Sequence, residues 1–166
     1  TAGDDRRLDP GVVPVEIGYR HPEPTPWGAI ERDAARLLEW IDHGTRGQVY
    51  RDMHRALFEL DPLMLDFRHY LGTFLKRGRP PSWEAWAKLC FVDVQVRRWP
   101  RYRLMGGMTM LHHHKKYDDG NTADSTHAMH AIDVDYFVTS DRGLARMLLR
   151  LSELGLHHAR VVTVRP

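Results

Sequence analysis

Two aspartates stand where oxygen-ligand chemistry would need them. Asp141 directly follows the strand-patterned run Tyr136-Phe137-Val138-Thr139-Ser140. That position is the carboxyl end of a buried parallel strand, where open α/β sheets form their ligand crevice. Asp124 opens the helix-patterned stretch before that strand, and the chain between the two doubles back, bringing a second carboxylate within reach of the same strand end. Carboxylates that converge in this way are the usual means of holding Mg²⁺ or Mn²⁺, hard cations that prefer oxygen. Aspartate is also a preferred helix N-cap, so capping is the competing role for both residues. His127 lies three residues after Asp124 and shares its helical face, as a candidate contact to a substrate phosphate or a group supporting the carboxylate.

Other chemistry-bearing residues narrow the options. The chain has eleven histidines but one cysteine, Cys90, and a closed zinc site takes about four nitrogen or sulfur ligands. Several distant histidines would have to converge to make one. Side chains of the run His112-His113-His114 point about 100° apart on a helix and cannot share one ion. Two basic clusters suit phosphate: Lys76-Arg77-Gly78-Arg79, and Arg97-Arg98-Trp99-Pro100-Arg101-Tyr102-Arg103. The second interleaves arginine with aromatic rings, a mixture that grips phosphates and stacks unpaired bases. Arg98, Arg101 and Arg103 are its candidate substrate contacts, against the alternative of solvated charges at helix ends.

These groups must be positioned by a mainly helical first part and a β-α-β close. Residues 1–26 hold five of the ten prolines and predict an extended arm, with one edge strand at Val12 to Ile17. Apolar periodicity predicts a helix from Trp27 to a Gly44 cap and another from about Gly47 to Leu60. A third helix would bury Leu63, Met64, Phe67, Tyr70, Leu71 and Phe74. A fourth, capped by Ser82, would run through Trp83, Trp86, Leu89, Cys90 and Val94 until Pro100 interrupts it. Arg101 to Tyr117 reads as helix despite Gly106-Gly107. Beyond the loop at 118–121 come a helix from about Thr122 to Ala131, the strand Tyr136 to Thr139, a helix from about Gly143 to Leu154 closed by Gly155, and a strand Arg160 to Val164. That order implies two parallel strands joined by a right-handed crossover.

Composition bounds the classes. With 166 residues the chain suits one domain or a domain with an appendage, and 42% hydrophobic against 28% charged residues excludes a disordered polyelectrolyte. Leu104 to His114 is the longest stretch without Asp, Glu, Lys or Arg, well short of the roughly 20 apolar residues of a membrane span. No signal-peptide pattern precedes the arm. The single cysteine, in an apolar stretch, suits a reducing compartment and a packing role. A cytoplasmic protein is expected.

The stretch Asn121-Thr122-Ala123-Asp124-Ser125-Thr126-His127-Ala128, followed by Asp133-Val134-Asp135-Tyr136-Phe137-Val138-Thr139-Ser140-Asp141-Arg142-Gly143-Leu144, resembles the carboxyl-terminal half of a PIN domain. This family includes bacterial toxin ribonucleases and other metal-dependent nucleases. The match covers residues 121–164, about a quarter of the chain. It implies that Asp124 and Asp141 are the family's third and fourth acidic positions, catalytic as metal ligands. It also implies that Thr139 is the hydroxyl residue before the last Asp, and that Arg142 beside it meets substrate. The fold it implies is α/β: a PIN-like parallel sheet flanked by helices, within one domain over 27–166 whose first part, 27–117, is helical and whose closing part is 118–166.

The family's opening pattern, an aliphatic strand ending in Asp with a Glu from the next helix, has no counterpart here. Glu16 and Asp66 are candidates for the first acid, and Glu59 and Glu84 for the helical one. Either the first strand lies upstream of Thr1, or the family has diverged here, or the acidic site is incomplete. A complete site implies a Mg²⁺- or Mn²⁺-dependent nuclease, toxin-like and acting on RNA rather than DNA, with an antitoxin-like protein or a second copy as partner. The alternative is a catalytically inactive PIN-like module that binds nucleic acid or protein.

Overall fold

Asp33 is the first place where the chain departs from simple helical periodicity. A computed structural model of the chain describes residues 18–57, 59, 62–66, 69, 82–113 and 120–164. Helix α1 spans Trp27–Arg32 and helix α2 spans Ala34–Leu57. Asp33 separates them because its Oδ1 accepts the backbone N–H groups of Ala35 and Arg36, at 3.0 and 3.2 Å, which starts a new helix with an acidic N-cap. The expected stop at Gly44 and restart at Gly47 do not occur, since α2 runs through both. Glycine inside a helix is a weak breaker, about 1 kcal/mol, and buried Ile41, Thr45, Val49, Tyr50 and Met53 along α2 outweigh it.

The chain divides into two compact units, one made of the described residues within 1–22 and 46–95, the other of those within 23–45 and 96–166. In the first unit, Ser82 caps helix α3 (Trp83–Lys88), its Oγ accepting the Ala85 N–H. The helix then widens into a π turn over Leu89–Asp93. Widening shifts the carbonyls off their regular partners, and Arg46 fills the gap by donating Nη1 to the carbonyls of Cys90 and Val94, at 2.8 and 2.9 Å. Tyr50 and Phe91 pack with ring centroids 5.8 Å apart, and the buried Cys90 thiol lies 3.6 Å from the Met53 sulfur. Burial pushes that thiol up to about 12, against the lowering effect of Arg46; Cys90 is packing, as its apolar setting suggested. Pro62–Met64 form a 3₁₀ turn with Leu63 87% exposed, so Leu63 is not the core residue its pattern implied. Phe67, Tyr70, Leu71 and Phe74 lie outside the described residues.

The second unit carries the parallel strands. Pro100 starts helix α4 (Pro100–His113) instead of ending a preceding one, because proline fits the first helical turn, where no backbone donor is needed. Helix α5 (Gly120–Ala128) continues into a 3₁₀ turn, Met129–Ile132. Strand β1 (Tyr136–Thr139), helix α6 (Arg142–Glu153) and strand β2 (Arg160–Thr163) follow. β1 and β2 pair in parallel, Tyr136 with Arg160 and Thr139 with Thr163, with α6 packed on both. The described fold is therefore mainly helical with a two-stranded parallel sheet. Its core joins Leu37 and Ile41 of α2, Leu104 and Met108 of α4, and Leu144, Leu148 and Leu151 of α6.

Two features of this unit have physical causes that periodicity hides. Gly106 and Gly107 sit in α4 for close packing: a Cβ at Gly106 would lie 2.8 Å from Thr45 Oγ1, and one at Gly107 2.7 Å from Leu151 Cδ2. The strand expected to be buried has only one face covered, by α6. Phe137 packs toward the core while Tyr136 and Val138 are each 61% exposed, because among the described residues no helix lies across their side of the sheet.

His157 is buried at the end of this core, with Nε2 2.8 Å from the Leu148 carbonyl and Nδ1 without a hydrogen-bond partner. A carbonyl only accepts, so Nε2 carries the proton that Leu148 receives, and protonating the ring would add a buried N–H without a partner at Nδ1. Burial lowers its pKa, the Leu148 hydrogen bond opposes the shift, and nearby His158 adds to it. A histidine pKa lowered on folding means that the unfolded chain binds more protons below the ordinary histidine range. Its stabilising contribution is thus present above that range and is lost as pH falls toward the folded pKa. Thermal melts between about pH 7 and about pH 5 should show Tm falling less in His157→Gln, whose amide still donates to Leu148, than in the parent. Equal pH dependence in the two would refute this role.

Candidate functional site

Asp141 sits where its position in the sequence placed it, just past the carboxyl end of β1 and immediately before α6. The local geometry is a short hydrogen-bonded turn. The Asp141 N–H donates to Thr139 Oγ1 at 3.0 Å, and Asp141 Oδ1 accepts the N–H groups of Gly143 and Leu144. Thr139 thereby fixes the backbone of Asp141, and Asp141 in turn caps α6. Its second oxygen, Oδ2, has no hydrogen-bond or ion-pair partner among the described residues, and the residue is exposed. Capping uses one oxygen of the carboxylate only, so it does not preclude ligation by the other.

Asp124 does not open its helix. α5 begins at Gly120, so Asp124 is its fifth residue and half-buried; a side chain there is past the N-terminal N–H groups that a cap serves. Local composition hid this, because Gly120 and Asn121 look like loop residues. His127 is exposed one turn further along α5.

The remaining candidates fall elsewhere. Glu16 lies outside the described residues, and Glu59, Asp66 and Glu84 belong to the first unit. Glu59 meets His54 Nδ1 at 3.2 Å, Asp66 is exposed, and Glu84 is in the first turn of α3. Arg98 is exposed in a 3₁₀ turn. Arg101 is held by both carboxylate oxygens of Asp133, at 3.0 and 2.9 Å, and Arg103 donates to Asp42 at 2.7 Å. Those two guanidinium groups are engaged within the unit.

Arg142 is exposed at the start of α6 and lines an open groove of about 490 Å³ together with Ala145, Arg146, Leu149 and Thr163. Arg146 and Thr163 were not among the residues picked out from sequence. The signal was present in the spacing 142, 146 and 149, one stripe of a helix, but it becomes visible only once β2 sets Thr163 beside that stripe.

Oxygen donors on Asp141 and Asp124 are of the kind Mg²⁺ and Mn²⁺ take, and Mg²⁺ is commonly held through one or two carboxylates while keeping several waters. The donor type fits such an ion. Among the described residues, no group of three or more His, Cys, Asp or Glu side chains is arranged to hold a metal. No helix among them is long and apolar enough to cross a membrane. The class these features define is a mainly helical α/β protein with an acidic residue at the carboxyl end of a parallel strand. No family model, curated protein or solved structure matches the chain.

Proposed function

We propose that this chain is a PIN-like, Mg²⁺- or Mn²⁺-dependent nuclease acting on RNA. The observation that supports it most is the exposed Asp141 at the end of β1, with one carboxylate oxygen used to cap α6 and the other unpartnered. A divalent ion, when bound, polarises a phosphodiester and lowers the pKa of a bound water. Within that reaction the chain's own residues have separate tasks. Thr139 fixes the Asp141 backbone, Asp141 Oδ2 and the Asp124 carboxylate supply oxygen ligands, and Arg142 meets a substrate phosphate. Asp141 and Asp124 are ligands in this reading, and neither moves a proton. Acidic groups alone would repel a phosphodiester, so its approach to Asp141 and Asp124, as well as the chemistry there, depends on the cation.

The test is cleavage of end-labelled single-stranded RNA and DNA in Mn²⁺, with and without chelator, by the parent and by Asp141→Asn and Asp124→Asn. Activity that requires the ion and disappears in both variants supports the proposal; activity indifferent to either variant overturns it. A second reading, a PIN-like module that binds without cutting, is favoured by one observation: Asp141 already has a structural task as the cap of α6. It predicts binding with no turnover in any ion.

A further inference from the structure

Arg142 and Arg146 are placed against the interests of their own helix. Arg142 opens α6, where the helix dipole disfavours cations, and Arg146 lies four residues on, where like charges repel. Neither guanidinium is paired with a carboxylate among the described residues, although Arg146 Nε reaches back to the Arg142 carbonyl at 3.3 Å. Arg150, one turn further along the same helix, is by contrast paired with Glu153 at 3.0 Å and donates to the Glu31 carbonyl at 3.0 Å. Folding accounts for Arg150 and not for the other two.

The groove they line supplies the missing reason. Arg142, Arg146 and Leu149 form one stripe of α6, and Thr163 of β2 adds a hydroxyl beside it. Arg142 and Arg146 are separated by about 6 Å along the helix axis, an interval of the order of that between neighbouring phosphates in an extended single strand. Leu149 is 49% exposed at the far end of the stripe, an apolar surface of the kind a base or ribose covers. The end of the groove at Arg142 adjoins Asp141 in the chain.

We infer that this groove is a track for single-stranded nucleic acid, with successive phosphates on Arg142 and Arg146, a hydrogen bond from Thr163 and a nucleoside face on Leu149. The choice of nucleic acid as occupant rests on the nuclease reading, but the track binds without any metal. Its path follows from the order of the residues: the strand lies over Leu149, Arg146 and Arg142, with Asp141 at the Arg142 end.

The experiment is fluorescence anisotropy of a labelled mixed-sequence RNA single strand, measured in chelator over a series of salt concentrations. Parent protein, Arg142→Gln/Arg146→Gln, Leu149→Ala and Arg160→Gln are compared. Arg160 is the control because it is exposed on the opposite face of the sheet, in register with Tyr136. Every arginine–phosphate pairing removed from a single strand should reduce the slope of log K against log salt by about 0.7, so the double variant should bring it down by about 1.4. Leu149→Ala should weaken binding at every salt concentration with the slope unchanged. The double variant removes a repulsive pair, so its thermal melt should not fall, which keeps the comparison on folded protein.

Three results would overturn the inference: no binding by the parent, an unchanged slope in the double variant, or an equal loss in Arg160→Gln, which would indicate diffuse attraction. Displacement of the strand by millimolar inorganic phosphate would also overturn it, as the mark of a single-anion site. The nuclease proposal fails separately. A slope change without Mn²⁺-dependent cleavage leaves the track standing and removes the catalysis, whereas cleavage with an unchanged slope does the reverse.

Discussion

Replacing Leu151 by alanine is expected to lower the unfolding free energy by about 2–5 kcal/mol, the usual cost of truncating a large aliphatic side chain in a closed core. Leu151 is fully buried, in the cluster that joins α2, α4 and α6. A domain of this size is stable by only about 5–15 kcal/mol, so the loss is a large share of the total. Gly107 supplies the sharper comparison. In the parent, Gly107→Ala would set a methyl 2.7 Å from Leu151 Cδ2, 3.3 Å from Leu156 Cδ1 and 3.5 Å from Ile41 Cδ1. Crowding on three sides, about 1–3 kcal/mol, exceeds the gain of about 1 kcal/mol in helix propensity. The single change should therefore destabilise. With Leu151→Ala already in place, the closest neighbour is gone and the added methyl fills part of the cavity, so Gly107→Ala should now stabilise by about 1 kcal/mol. Urea denaturation of the four proteins measures the coupling; equal effects of Gly107→Ala in both backgrounds would show that the helices do not meet at this point.

The same glycines show where the sequence is easy to read and where it is not. Signals confined to a few neighbouring residues were legible: Ser82 as a cap, Gly155 closing α6 in a left-handed turn at φ +71°, and the β1-α6-β2 order with its parallel pairing. Asp33 was hidden because the apolar spacing of Ile30, Leu37 and Ile41 continues across it, so only the capping geometry reveals the break. Gly44 reads as a stop and Gly47 as a restart because breaker strength alone does not register the burial that offsets it. The candidate site divides along the same line. Asp141 and Thr139 are two residues apart and their turn is local; position alone nominates Asp141, and the resemblance adds Thr139. The pairings of Arg101 with Asp133 and Arg103 with Asp42 span 32 and 61 residues, and nothing near either arginine announces its partner. Arg146 and Thr163 belong to that distant class too, since a groove between a helix and a strand has no sequence signature until both are placed.

Asp141→Asn is expected to abolish ion-dependent cleavage while leaving the fold nearly as stable, and that combination separates the two roles of this one side chain. Asparagine caps helices about as well as aspartate, so its amide oxygen keeps accepting from Gly143 and Leu144. What it gives up is the negative charge. That charge contributes about 0.3–1 kcal/mol through the dipole of α6, but it is the whole of the electrostatic attraction that Oδ2 offers a divalent ion. Asp141→Ala should lose cleavage as well, together with about 0.5–2 kcal/mol of stability from the missing cap. The pair of variants thus gives a stability difference that reports the cap and a shared loss of activity that reports the charge. Asp124→Asn should match Asp141→Asn in activity with little change in melting, because Asp124 lies inside α5 rather than at its start. Cleavage is read on end-labelled single-stranded RNA in Mn²⁺ with a chelator control, and stability by thermal melting of the same samples. Full activity in Asp141→Asn, with Asp141→Ala impaired only in proportion to its lower stability, would reduce Asp141 to a helix cap. The exposed Oδ2 would then be solvated rather than a ligand, and the binding module would be the better account of the chain.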